Sequence, residues 1–361
     1  MSENMRIAQG KLMIAQDARW IINSMLSVQS HESGAGVLPF GFLGHAARIV
    51  YEGSAALNSP TLGVPALAAL LPAKRLDVIA RARHALKLLD DTQTSFEEVL
   101  ASMTRFREIH HAHFTGNAVW FARSLERDLG VFELNGYPLA ATMPVQFQVG
   151  LEPTISINEF GSELHDVSES LGGALIVLAA ATGDPWTPVG SVSYEALGVV
   201  AQRDVLAKPY LSERYDDNFA EGLKLLLLLV ECQVHTARWV FPLTESAGDD
   251  AVFRARFVTL YHSLRTLSDA LATLQPTSSR ATNSMRDLVS TPGAQLILGS
   301  RRVRNRSMHY EIKDPKYEIN PFSPMGGIVE REMPGYTFAE VRAQSIQVIG
   351  ELSECFLSWR S

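Results

Sequence analysis

Two cysteines in 361 residues, Cys232 and Cys355, are too few and too far apart to staple the chain. Both lie in apolar runs with helical spacing, where a free thiol behaves as a small hydrophobe, so a reducing cytoplasm is the expected setting. The opening residues Met1-Ser2-Glu3-Asn4-Met5-Arg6 lack the basic-then-apolar layout of a secretory leader. The longest apolar runs, Leu223 to Val230 and Gly172 to Gly183, fall short of the roughly 20 residues that cross a bilayer. They are expected to be buried core segments, with no role for a membrane. Also missing are a Walker A loop, G-x-G-x-x-G, H-E-x-x-H, G-x-S-x-G and paired C-x-x-C, which removes several common enzyme classes.

What is present is a globular composition: 46% hydrophobic and 20% charged residues exclude a disordered or fibrous chain, and the length suffices for two ordinary domains or one large helical body. The formal charge of −7 argues against indiscriminate nucleic-acid binding, which depends on clustered positive charge. Local counting reverses this. From Arg280 to Lys316 eight basic residues face three acids, a net of +5 that leaves −12 for the remainder. Such focusing favours an anionic ligand at one place. A solvated helix face is the plainer explanation of an arginine cluster.

Its centre is Arg301-Arg302-Val303-Arg304-Asn305-Arg306-Ser307-Met308-His309-Tyr310, four guanidinium groups beside one imidazole. Guanidinium offers a planar fork matched to phosphate oxygens, and histidine moves protons near neutrality. Arg304-Asn305, followed by His309 and Tyr310, resembles the Arg-(polar)-x-x-x-His motif of the HEPN superfamily, across roughly the last 145 residues. That resemblance implies a small helical bundle, a site at a homodimer interface, and in many members a metal-independent ribonuclease acting as a toxin or antiphage defence effector; other members are inactive partners or nucleotide-binding modules. It also implies RNA as ligand, an antitoxin or defence-system protein as possible partner, no metal or other cofactor, and a cytoplasmic location. Arg304, His309 and Asn305 become the candidate catalytic residues. Arg301, Arg302, Arg306 and Tyr310 become candidate RNA and phosphate contacts, although core packing is the favoured reading of Tyr310.

Helical rhythm dominates the chain. Met5 to about Val28 and Leu43 to Leu57, the latter opened by Pro39-Phe40-Gly41, read as helices, and short helical pieces reach Asp91. Thr94-Ser95-Phe96-Glu97 offers a capping box for a long helix toward Leu129. Between Gly130 and Ile157 a small hairpin or extended arm is expected, with the alternating Val145-Gln146-Phe147-Gln148-Val149 as a strand. Ser156-Ile157-Asn158-Glu159 caps a helix to about Ala181, and Gly183 to Gly198 reads as a loop. Asn218-Phe219-Ala220-Glu221 opens an apolar helix through Trp239, and a second long helix runs to Leu274. A short helix follows over Arg280 to Val289. Thr291-Pro292 starts the motif helix, since proline at the first helical position gives up an amide that is unpaired anyway. After a loop from Asp314 to Gly335, Thr337-Phe338-Ala339-Glu340 caps a final helix. The expected fold is mainly α: an N-terminal helical domain with a small extended or β segment over 1–200, and a HEPN-like four- or five-helix bundle over 201–361.

A second Arg-x4-His spacing occurs at Arg105 and His110, with His111 and His113 beside it. Phe106 stands where the family prefers a polar residue, so an ordinary helix surface is expected, with a degenerate second bundle or a His110/His113 metal site as alternatives.

The motif sets a geometric problem. At about 100° per residue, positions five apart diverge by about 140°, so one ideal helix cannot aim Arg304 and His309 at one phosphate. Either the helix loosens near Asn305 to Ser307, or two chains share the pocket. In the implied reaction His309 serves as general base or acid, Arg304 stabilises charge on the phosphorane oxygens, Asn305 orients His309 or the phosphate, and the 2′-hydroxyl of RNA is the nucleophile.

Overall fold

The computed structural model describes residues 3–28, 37–57, 71–87, 95–118, 123, 125–183, 192–247, 249–274, 279–310 and 324–359. The N-terminal half contains α1 (Glu3–Val28), α2 (Leu38–Leu57), α3 (Ala73–Ala85), α4 (Phe96–Phe114), β1 (Leu129–Leu134), β2 (Tyr137–Ala141), α5 (Thr142–Val149) and α6 (Ile157–Ala181). Then come β3 (Val200–Val205), α7 (Ala207–Arg214), α8 (Glu221–His235), α9 (Asp249–Thr273), α10 (Arg280–Val289), α11 (Pro292–Gly299), α12 (Arg301–Met308), α13 (Pro324–Glu332) and α14 (Phe338–Ser358). The fold is mainly helical with one small sheet, as the periodicity indicates.

Local chemistry explains the clearest helix starts. Ser156 accepts from the Glu159 amide while Glu159 reaches back to the Ser156 amide, and Thr337 with Glu340 repeats the arrangement. In α4 the box is one residue later than the sequence pattern indicated, on Ser95 and Glu98, and the helix stops at Phe114, well short of Leu129. Thr291 caps α11 with Pro292 just inside it. Asn218 does not cap α8: its amide and side chain bond to Asp216, and Ala220 occupies the cap position.

The sheet lies where turn chemistry puts it. Asn135 (φ 51°) and Gly136 (φ 85°) adopt the left-handed conformations of a two-residue hairpin turn joining β1 to β2. β3 pairs antiparallel with the other edge of β1, giving the order β2-β1-β3. The expected strand Val145 to Val149 is instead the end of α5. Its alternation misled because α5 buries Val145, Gln146, Gln148 and Val149 together, and Gly150 (φ 68°) closes the helix in the left-handed region.

β3 straddles the expected domain boundary at 200/201 while pairing with β1 from the N-terminal half. α8 packs on α4 and β2, and α1 packs on α9. One cluster of buried side chains extends from Met13 to Trp359. The run Leu223 to Val230 is wholly buried, as expected. The run from Gly172 is only half buried: in α6, Ile176 and Val177 are exposed while Leu175 and Leu178 pack inward. By length and composition α6 is apolar enough to cross a membrane over Asn158–Ala181. Cys232 and Cys355 are free and buried.

Candidate functional site

The single motif helix expected from Thr291 onward is broken at Ser300, whose backbone (φ −90°, ψ 41°) separates α11 from α12. Ser300 turns its hydroxyl back to the Leu296 carbonyl at 2.6 Å. α12 is thus a short helix ending at Met308, and His309 leaves it in extended conformation (φ −117°, ψ 139°) with its amide still on the Asn305 carbonyl. His309 is thus the cap residue of α12, where helical backbone gives way to extended chain. The loosening occurs one or two residues later than Asn305 to Ser307.

Two carboxylates of the N-terminal half receive the end of α12. His309 Nδ1 lies 2.6 Å from Glu52 Oε2, on α2. The other Glu52 oxygen accepts from Arg83 Nε at 2.7 Å and from Arg83 Nη2. Arg83, from α3, has its guanidinium over the Tyr51 ring at 4.5 Å. Lys87 Nζ stands 3.9 Å from the same oxygen. Burial alone raises the Glu52 carboxyl, but the hydrogen bond and charge of His309, with those of Arg83, override it and hold the group down to about 2.

Next along the chain, Tyr310 is buried and donates its hydroxyl to Asp17 Oδ2 at 2.5 Å. Asp17, on α1, is fully enclosed and also binds Arg48 Nη2 at 2.8 Å and Arg254 Nε at 2.9 Å. Arg48 donates in addition to the Ser307 carbonyl at 2.7 Å, placing a cation on the negative end of α12. Tyr310 is 2% exposed and packs against Arg48 and Asp17, the packing role that the sequence favoured over a ligand contact.

Arg304 is 5% exposed. It donates to Asn305 Oδ1 at 2.6 Å, and its guanidinium lies 5.3 Å from the Tyr261 ring centre. Burial, then repulsion from Arg83, lowers it to about 10. Arg304 and His309 therefore share a neighbourhood linked through Arg83 and Glu52. The Asn305 side chain engages Arg304, and it is Glu52 that engages the His309 ring. Arg301 and Arg302 are exposed, and Arg306 is half-buried. Arg302 and Arg306 each stand 3.7 Å from Glu332 on α13.

Glu52, Arg83, Asp17 and Arg48 were invisible to motif reading. One signal was available for Arg48 and Glu52: each is a charge within an apolar part of α2, the pattern of a buried ion pair. The second Arg-x4-His spacing forms no site. Arg105 is exposed, whereas His110 is buried with Phe106 and Phe114 against it. Among the described residues, no group of three or more His, Cys, Asp or Glu is arranged to hold a metal ion.

No protein-family model matches this chain, and neither the curated proteins nor the solved structures yield a match.

Proposed function

We propose that the protein is a metal-independent endoribonuclease of HEPN type, a toxin or antiphage effector acting on cytoplasmic RNA, with His309 as its proton-transfer group. The observation that carries this reading is the His309 side chain, 41% exposed, with Nδ1 engaged by Glu52. Among the described residues its Nε2 makes no hydrogen bond. Arg83 and Arg304 lie beside it, and exposed arginines line the helix leading to it. In the proposed step Nε2 takes the 2′-hydroxyl proton as O2′ bonds to phosphorus. The P–O5′ bond breaks, O5′ takes a proton from water, a 2′,3′-cyclic phosphate results, and the imidazolium returns its proton to solvent. Arg83 and Arg304 supply a positive field for the charge developing on the non-bridging oxygens. Arg301, Arg302 and Arg306 contact phosphates without reading sequence. A homodimer with two motif helices facing across a twofold axis, and an antitoxin that covers this face, belong to the same proposal.

The burial of Arg304 favours a second reading, a non-catalytic RNA- or nucleotide-binding module, because a guanidinium held by Asn305 and Tyr261 is poorly presented to a transition state. Incubating the full chain with RNA in EDTA, beside His309→Ala and Arg304→Ala, separates the two. Cleavage lost in both variants supports the nuclease. Tight binding without turnover supports the module, and no RNA affinity removes both.

A further inference from the structure

We propose that Glu52 is the positioning residue of this site, holding His309 in the tautomer with the proton on Nδ1 so that the Nε2 lone pair faces the substrate; this rests on His309 being the proton-transfer group. The two Glu52 oxygens have separate tasks. Oε1 accepts both donors of the Arg83 fork, and Oε2 meets His309 Nδ1 at 2.6 Å. Arg83 has only donors, so the atom facing it must be an acceptor. Its ring contact with Tyr51 and the packing of α3 on α2 fix the fork in turn. The carboxylate is 8% exposed, so water does not compete freely for Oε2. An ionised carboxylate accepts only, and the ring nitrogen facing it must therefore carry hydrogen. The site is thereby composite. Its base lies in the C-terminal half, while the group that aims it lies on α2, 257 residues earlier.

A structural role, in which Glu52 only neutralises Arg83 and ties α2 to α12, makes a different forecast for one substitution. In Glu52→Gln the Arg83 fork still demands an oxygen, so the amide nitrogen must turn toward His309. That nitrogen donates, and the imidazole responds by moving its proton to Nε2. The base is then blocked although volume and fold are nearly retained. By analogy with carboxylate-oriented histidines whose partner becomes an amide, cleavage at neutral pH falls by roughly 10²–10⁴-fold.

The test uses the full-length chain labelled with 15N at histidine, the His309 signals being identified by their loss in His309→Ala. Long-range proton–nitrogen spectra report the tautomer, and RNA cleavage and RNA binding are measured on the same samples. Support is an Nδ1–H ring in the wild type, an Nε2–H ring in Glu52→Gln, and lost turnover with binding kept. An Nε2–H ring in the wild type, or a Glu52→Gln protein that cleaves as fast as wild type, overturns the proposal. If Glu52→Gln fails to fold, Glu52→Asp serves instead: it keeps the charge but draws the carboxylate back, and should slow cleavage at least tenfold while Arg83→Lys, with Glu52 intact, keeps the Nδ1–H tautomer; unchanged rates in Glu52→Asp refute the role. A wild-type chain that never cleaves RNA sinks the nuclease reading, whereas the tautomer measurement still decides the Glu52 assignment.

Discussion

Asp17→Ala is the perturbation whose consequence follows most directly from the packing. The carboxylate is wholly buried and accepts from Arg254 Nε at 2.9 Å and Nη2 at 2.5 Å, from Arg48 at 2.8 Å and from Tyr310 at 2.5 Å. Burial alone raises its affinity for protons, yet Arg254, Arg48 and these hydrogen bonds hold its pKa below the usual value. Removing it leaves two enclosed guanidinium groups facing one another. Breaking a buried ion pair in this way costs about 3–5 kcal/mol. At about 2.1 cal/mol/K per residue, the unfolding entropy of 361 residues is near 0.76 kcal/mol/K. The expected loss is thus roughly 4–7 °C in Tm. Tyr310→Phe removes one charge-assisted bond, about 1.5–3 kcal/mol, and should lower Tm by about 2–4 °C. Calorimetry on both proteins checks the order. An Asp17→Ala protein melting within a degree of wild type, or below Tyr310→Phe in its effect, refutes the view that this carboxylate anchors α12 to α1.

Acid should destabilise the protein early. Burial first of all lowers His45 and His262 to about 3 and His110 to about 4, so the folded chain keeps these rings neutral where an unfolded histidine, near 6.5, is charged. The unfolded state binds more protons, so stability rises with pH; between about pH 6 and 4 it should change by roughly 4 kcal/mol per pH unit for the three together. The Glu52 contribution is fully present above about 4.5 and is lost only as pH falls toward 2. A urea midpoint that stays level from pH 7 to pH 5 contradicts this. Gly222→Ala should destabilise by about 1–3 kcal/mol, because its Cβ would sit 2.2 Å from the Leu100 carbonyl oxygen where α8 crosses α4. Gly173→Ala in α6 meets nothing within 4 Å and should instead gain about 0.5–1 kcal/mol; urea titration of the pair distinguishes crossing distance from helix propensity.

The parts of the fold legible in the sequence are those written in local chemistry. The Ser156/Glu159 and Thr337/Glu340 boxes and the Thr291-Pro292 start lie within one helical turn, and their helices begin where those residues indicate. Elements decided by tertiary packing were not legible. Val145 to Val149 alternates like a strand but is buried on several sides of a helix, and the turn of 236–240 carries α8 past its end into a tighter helix through Pro242. At the site, the Arg304 to His309 segment stood out by composition, and in the structure its His309 end meets the Glu52 carboxylate. The carboxylate itself, and Asp17 behind Tyr310, come from helices more than 250 residues away, with no spacing rule to connect them. The resemblance implied ligand-facing roles for Asn305 and Tyr310; in the structure Asn305 accepts from Arg304, and Tyr310 packs in the core on Asp17.

The most direct measurement compares an RNA oligonucleotide with the same strand carrying a single 2′-deoxy residue at the cleaved position, both incubated with the full chain in EDTA. The account requires strand scission of the RNA with a 2′,3′-cyclic phosphate end, none at the deoxy position, and none by His309→Ala. Scission that persists at the deoxy position, or that survives loss of the His309 imidazole, contradicts it.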